Sequence, residues 1–412
     1  VIPSIYLRLR DLGGFPDHAP RALGLAILLL DHFLMYMGFF MLIPLIAAHF
    51  VVDLGWEAAG IGLVLAIRGF THQGATILSG ALADRWGTKG LICWGIAIRA
   101  FSFMVMGFID NYSTLLLVSF ITGLGGALFE SPKLAATAAL TDPTRRRRAL
   151  AFQATVGNIG MALGVMAGAL LMQVSFPLVG LVSGFIYLIS LVISVIYLPE
   201  VKVSSGQQQL LGGLATAARD RRYLLFSLIS VGIFVLWVQM SLGLALTAQQ
   251  LAGTSAAVSW VYLLNTAISL VLQLPLLRWL ESRFSPIHTL ILGVAVMSLG
   301  LAGVALSHSI EVFMIWVGLY FVGTLVISPS QQTLLAELAN PKMLGSYMGF
   351  GWLGSAIGGA IGNFSGGILL DWANLLGASW LPWVGYSALG IATSLGLLWF
   401  ARRYLPPASV QN

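Results

Sequence analysis

From about residue 22 to residue 400 the chain has no polar stretch long enough to build a water-exposed domain, only apolar runs separated by short joins. A helix needs about 20 residues to cross a hydrocarbon layer. Twelve segments meet that length, at 22–47, 58–82, 90–109, 112–139, 148–172, 175–198, 223–247, 257–280, 287–307, 311–338, 343–370 and 380–400. Several exceed it, which implies tilted helices whose ends reach the headgroup region. Soluble domains carry about 25% charged residues; this chain carries 9%, with 58% hydrophobic and a mean hydropathy of +0.91. A water-exposed globule, a disordered chain and a nucleic-acid binder are therefore excluded. The expectation is an all-α membrane protein.

The positive charges orient the spans. Of 21 Lys and Arg residues, 18 fall at the termini or in alternate connections: Arg8, Arg10 and Arg21; Arg85 and Lys89; Arg145 to Arg148; Lys202, Arg219, Arg221 and Arg222; Arg278 and Arg283; Lys342; Arg402 and Arg403. The other connections hold none. By the positive-inside rule both termini are expected on the cytoplasmic side. The net charge of +6 is thus accounted for by proximity to anionic lipid. The first apolar run is too long for a signal-peptide core, so no cleavable signal is expected. A single cysteine, Cys93, excludes an internal disulfide and any paired-cysteine metal site.

The longest join, 199–222, contains a Gln run at 207–209 and divides the chain into six-segment halves, 22–198 and 223–400, flanked by a 1–21 segment and a 401–412 tail. Leu214 to Arg222 within it has the pattern of a short interfacial helix. The halves echo each other. Glu130-Ser-Pro-Lys to Leu140-Thr-Asp-Pro143 matches Ile327-Ser-Pro-Ser to Leu338-Ala-Asn-Pro341, and Leu82-Ala-Asp-Arg-Trp86 matches Leu280-Glu-Ser-Arg-Phe284 at the same offset. A duplicated six-helix unit is the layout of transporters that open a central cavity to either face by rocking. No filter-like repeat suggests a selective pore.

Between spans 2 and 3 the chain reads Gly80-Ala-Leu-Ala-Asp84-Arg85-Trp-Gly87-Thr-Lys89. This resembles the GxLaDrxGrk signature of the major facilitator superfamily, in its expected place. The run Leu30-Asp31-His32 to Gly38-Phe-Phe-Met-Leu-Ile-Pro44, the segment ending Phe129-Glu130-Ser-Pro132 and Gly345-Ser-Tyr-Met-Gly349 extend the resemblance over nearly the whole chain. They are similar to the twelve-span drug:proton antiporter branch and to the MdtH-like bacterial multidrug-resistance transporters within it. In span 5 the branch carries a Gly-Pro pair; here Gly160, Gly164 and Gly168 recur every four residues without the proline, a pattern suited to close helix packing. The Arg common early in span 4 of the family is absent.

The resemblance implies the two-bundle major facilitator fold, multi-pass insertion in a bacterial inner (plasma) membrane, contact with membrane lipids, a monomer, and a gate formed by Gly80, Asp84, Arg85, Gly87 and Lys89. Asp84 would hold the start of span 11, and Glu130 would pair with Arg85.

Four ionisable residues within apolar segments are costly enough to require a function or a partner: Asp31, Arg68, Arg99 and Glu130. Asp31 lies about 15 Å into span 1 by helical rise. Burial there penalises the ionised carboxylate, so a proton or a cationic substrate can compete for it. That competition makes Asp31 the candidate coupling residue, with an ion pair to Arg68 or Arg99 as the alternative. Tyr36, Phe39, Phe40, Phe70 and Phe129 lie near these groups, and Gln239, Asn265 and Gln273 supply amides in the second half. One acid, a few amides and many rings suit a bulky amphipathic or cationic compound.

No phosphate loop, HExxH motif or clustered His set occurs, so neither an enzyme, a metal site nor a cofactor is expected. With no ATP site, uphill transport must draw on an ion gradient. The expected function is secondary active export of such compounds in exchange for protons by alternating access. The alternative is a proton-coupled or passive transporter of a metabolite or a lipid-like amphiphile.

Overall fold

Lipid offers no partner for backbone N–H and C=O groups, so an apolar segment must close its hydrogen bonds within itself. A computed structural model, which describes residues 19–141, 146–201, 210–340 and 343–405, shows each segment doing so as helix, with no strand among those residues. In chain order the helices are α1 (Ala19–Ala47), α2 (Ala58–Trp86), α3 (Thr88–Met106), α4 (Tyr112–Leu140), α5 (Arg146–Met172), α6 (Phe176–Tyr197), α7 (Leu210–Arg219), α8 (Arg221–Trp237), α9 (Gly243–Ala252), α10 (Ala256–Glu281), α11 (Pro286–Val304), α12 (Ile310–Leu338), α13 (Leu344–Leu376) and α14 (Leu381–Tyr404). A π-helical stretch, Ala48–Asp53, prolongs α1. Residues 1–18, 202–209 and 406–412 lie outside the described set.

Among the described residues eleven spans are long and apolar enough to cross a membrane, counting α8 and α9 together as one. The expected second span is not among them. It is the 29-residue α2, whose mean hydropathy is lowered by Arg68, His72 and Gln73.

The chain forms two compact units, 1–45 with 67–207 and 46–66 with 208–412. Within them the sequence repeat becomes structural. Helices α3 and α11 are both 19 residues long and begin at 88 and 286; α4 and α12 are both 29 residues long and begin at 112 and 310. In the first unit a Cβ on Gly95 would lie 2.7 Å from the Gly125 carbonyl oxygen; in the second, one on Gly293 would lie 3.0 Å from that of Gly323. The same pair of small residues, 198 positions on, lets the same two helices touch backbone to backbone.

Two local devices set the first unit. Asn111 caps α4, its Oδ1 accepting from the Ser113 and Thr114 N–H groups at 2.9 and 3.3 Å. Gly87 alone joins α2 to α3, at φ +87°. An L side chain resists that conformation, and a Cβ there would also strike the Glu200 carboxylate.

In the second unit span 7 is broken. Helix α8 ends at Trp237, a 3-10 turn covers Val238–Met240, and α9 resumes at Gly243. The Tyr320 hydroxyl donates to the carbonyls of Leu236 and Trp237 at 3.1 and 2.9 Å. Gln239, 1% exposed, donates to those of Val235 and Gly362 at 2.8 and 3.0 Å. Expected to line a cavity, Gln239 is instead used in helix packing, because a broken helix buried in lipid must satisfy its freed carbonyls.

Candidate functional site

Within the first unit, α1 carries polar groups on two faces. His32, Tyr36 and Phe40 follow one another at i, i+4 spacing, so their rings stack along one side, with centroids 4.2 and 5.7 Å apart. Asp31, one residue earlier, is rotated away from that row toward α6. There Ser190 Oγ donates to one carboxylate oxygen at 2.7 Å and Ser194 Oγ to the other at 2.5 Å. Asp31 is completely buried. The alternative expectation of an ion pair with Arg68 or Arg99 is corrected: two serines one helical turn apart hold the carboxylate, one per oxygen.

The second polar centre sits on α4. Lys133, fully buried, donates its ammonium to Glu130 Oε1 at 2.7 Å and to His32 Nδ1 at 3.0 Å. An ammonium has no lone pair to offer, so His32 Nδ1 must be the acceptor. The Phe129 ring lies beneath, its centroid 5.0 Å from the ammonium nitrogen. Glu130 and Lys133 meet because i, i+3 residues share a helix face; the expected pairing of Glu130 with Arg85 lies outside the described residues. The side chains of Asp84 and Arg85, and with them the expected contact to span 11, lie outside the described set. Phe129 is 1% exposed and does not border open space, which corrects its assignment to a cavity wall.

The third feature is a ring with two cations over it. The guanidinium carbons of Arg68 on α2 and Arg99 on α3 lie 5.1 and 5.5 Å from the centroid of Phe39. Arg99 also lies beside the Tyr187 hydroxyl, which donates to the Met35 carbonyl at 2.9 Å. Gly126 makes room for it: a Cβ there would collide with the Arg99 guanidinium and stand 2.8 Å from the His72 ring.

The structure therefore brings Arg68, Arg99, Tyr36 and Phe39 into the neighbourhood of Glu130 and leaves Asp31 in a separate polar niche. Phe40 is half-buried and Phe70 is 49% exposed. Asn265 and Gln273 are half-buried on α10, in the other unit. Gly80 lies in the last turns of α2, and Gly87 and Lys89 flank the start of α3. The residues that sequence reasoning missed are Lys133, His72, Ser190 and Ser194. Lys133 had a readable signal in its spacing from Glu130, and the serine pair had one in two hydroxyls four apart in a very apolar span. His72 had none. Among the described residues no cluster of His, Cys, Asp and Glu could hold a metal ion.

Alpha-5 closes this unit on α1. A Cβ on Gly160 would lie 2.6 Å from the Phe33 carbonyl oxygen, and Cβ atoms on Gly164 and Gly168 would overlap those of Met37 and Met41. The glycine row thus brings two backbones together, which fixes α1 and the rings it carries.

The model of the Major Facilitator Superfamily matches residues 28–362. The Multidrug resistance protein MdtH of Yersinia enterocolitica is 36% identical over 393 residues, covering 95% of this chain and 98% of that protein. That of Aeromonas hydrophila is 36% identical over 378 residues, covering 92% and 95%. Among solved structures, the nucleoside transporter NupG superposes with a TM-score of 0.79 at 14% identity, over 92% of this chain and 99% of that one. A POT family transporter in complex with a thioalcohol-conjugated peptide does so with a TM-score of 0.79 at 14% identity, over 93% and 97%. At such identity the structural likeness speaks for the fold, while the sequence likeness speaks for the family. This helical, multi-pass membrane protein is a transporter and not an enzyme, and it belongs to the major facilitator superfamily.

Proposed function

We propose that the chain exports bulky amphipathic compounds, cationic ones among them, in exchange for protons by alternating access, from a bacterial inner membrane with both termini cytoplasmic. The observation that carries this reading is the pair of acids held inside the first unit. Asp31 is enclosed by two hydroxyls and Glu130 is bound by a buried lysine, beside a row of aromatic rings. A buried acid that exchanges a proton changes the charge of its surroundings, which is what couples a proton to a conformational change. Asp31 is the proposed coupling residue. Glu130, Arg68 and Arg99 are proposed to sense the bound substrate, and Gly80, Asp84, Arg85, Gly87 and Lys89 to form the cytoplasmic gate. The protein is proposed to work as a monomer.

The test is the purified chain in liposomes with an imposed pH gradient, following accumulation of fluorescent amphiphiles, cationic dyes included, with and without a protonophore. Accumulation that needs both protein and gradient is expected. Movement that ignores the gradient for every compound would replace this reading with passive transport of a metabolite or a lipid-like amphiphile.

A further inference from the structure

Among the described residues no acid is bonded to Arg99 beside Phe39. Glu130 is held by Lys133 at 2.7 Å. Asp31 is taken up elsewhere by Ser190 and Ser194. Arg99 is 6% exposed, makes no ion pair among the described residues, and its Nε has no hydrogen-bond partner; the same is true of the buried Nε2 of His72 beside it. One side of the Arg99 guanidinium is turned to the Tyr187 hydroxyl, while its Nε–H, still without a partner, belongs to the fork of donors that matches a carboxylate. The second guanidinium, Arg68, adds positive potential over the same ring.

We infer that Arg99, with Arg68 over the same Phe39 ring, is an anion subsite that takes the carboxylate of an aromatic amphiphile. This deepens the export reading above and rests on it for the claim that the bound compound is cargo. A buried charge without a counter-charge is unstable, and a ligand anion supplies what the protein omits. The approach is provided for: Arg68, His72, Tyr36 and Phe39 are half-buried, and the Glu130 side chain is 40% exposed where Lys133 is 1% exposed. Aromatic cargo would meet Tyr36, Phe39 and Phe40, whose rings lie 5.7 and 5.1 Å apart. Gly126 is the specificity element that keeps Arg99 and His72 side by side.

The probes are 1-pyrenebutyrate, its methyl ester and 1-pyrenebutylamine, which share one ring system and differ in head-group charge. Binding to the full chain in neutral-detergent micelles is read by energy transfer from tryptophan to pyrene. The acid is expected to bind at least about tenfold more tightly than the ester, the factor that about 1.4 kcal/mol represents. R99Q should bring the acid down to the level of the ester, and R99K should keep part of the preference. Equal binding of acid and ester to the unmodified chain, or tighter binding of the amine, would overturn the subsite, whether or not R99Q folds. If the acid preference holds but no probe moves in liposomes under a pH gradient, the subsite stands and the antiport reading fails.

Discussion

The two units share helix lengths and the glycine contact between their third and fourth helices, yet they use buried polarity in opposite ways. In the first, membrane-depth polar residues are ionisable and meet one another: Lys133 with Glu130 and His32, Arg68 and Arg99 on Phe39. In the second, they are amides and hydroxyls turned onto backbone carbonyls, as Gln239 and Tyr320 are at the break in span 7. Its carboxylate Asp371 performs a similar service, accepting from the Ala58 and Ala59 N–H groups at 3.0 and 2.8 Å and so capping α2. A duplicated unit can thus keep one copy for chemistry and use the other's polar groups for architecture. A buried charge calls for another charge, a ligand or, as at Asp31, hydroxyl donors on each oxygen, whereas an amide is satisfied by the nearest carbonyl.

Substitutions can break this contrast. The largest effect is expected from D31N, which keeps one acceptor oxygen for one of the two serines, turns an NH2 donor toward the other and removes the exchangeable charge. Gradient-driven efflux from loaded liposomes should be abolished, and full efflux with unchanged pH dependence would remove Asp31 from the coupling role. Next comes G164L, whose side chain must displace the Met37 backbone. Overpacking of this kind costs about 1–3 kcal/mol or more, read as a lower Tm and a lower yield of monodisperse protein.

K133M leaves Glu130 and His32 without their donor. Stranding such groups costs about 1–3 kcal/mol, toward the lower end because Glu130 is 40% exposed. The double variant E130Q/K133M should recover part of the lost Tm, and no recovery would mean the pair is not coupled. The smallest effect is expected from D371A, since losing a helix cap costs about 0.5–2 kcal/mol. Faster hydrogen exchange at the Ala58 and Ala59 amides should accompany it. A transport defect larger than its Tm shift would show that the second unit's polar groups are not purely architectural.

Much of this was legible beforehand. The segments around 112–139 and 311–338 appear as 29-residue helices because apolar length in lipid leaves the backbone little alternative, and each continues through a proline, Pro132 and Pro329, at matching places. Gly87 was legible as part of a motif, and its positive φ with the Glu200 carboxylate alongside supplies the physical reason. The partners of the buried charges were not legible. Asp31 and Arg68 were both visible as costly, but which neighbour answers each depends on which face of α1 meets α6. A rotation of about 100° per residue separates Asp31 from His32.

Composition and spacing by themselves determined that this chain is a helical membrane protein, that it is duplicated, and which residues are too expensive to be idle, because lipid forces the backbone into helices and penalises every charge. The tertiary structure alone decided how those charges are distributed: a serine pair for Asp31, a buried lysine for Glu130, and a ring but no acid for Arg99. Pairing at membrane depth is settled by helix rotation and by the glycines that set how closely helices approach, and neither is written in any single segment.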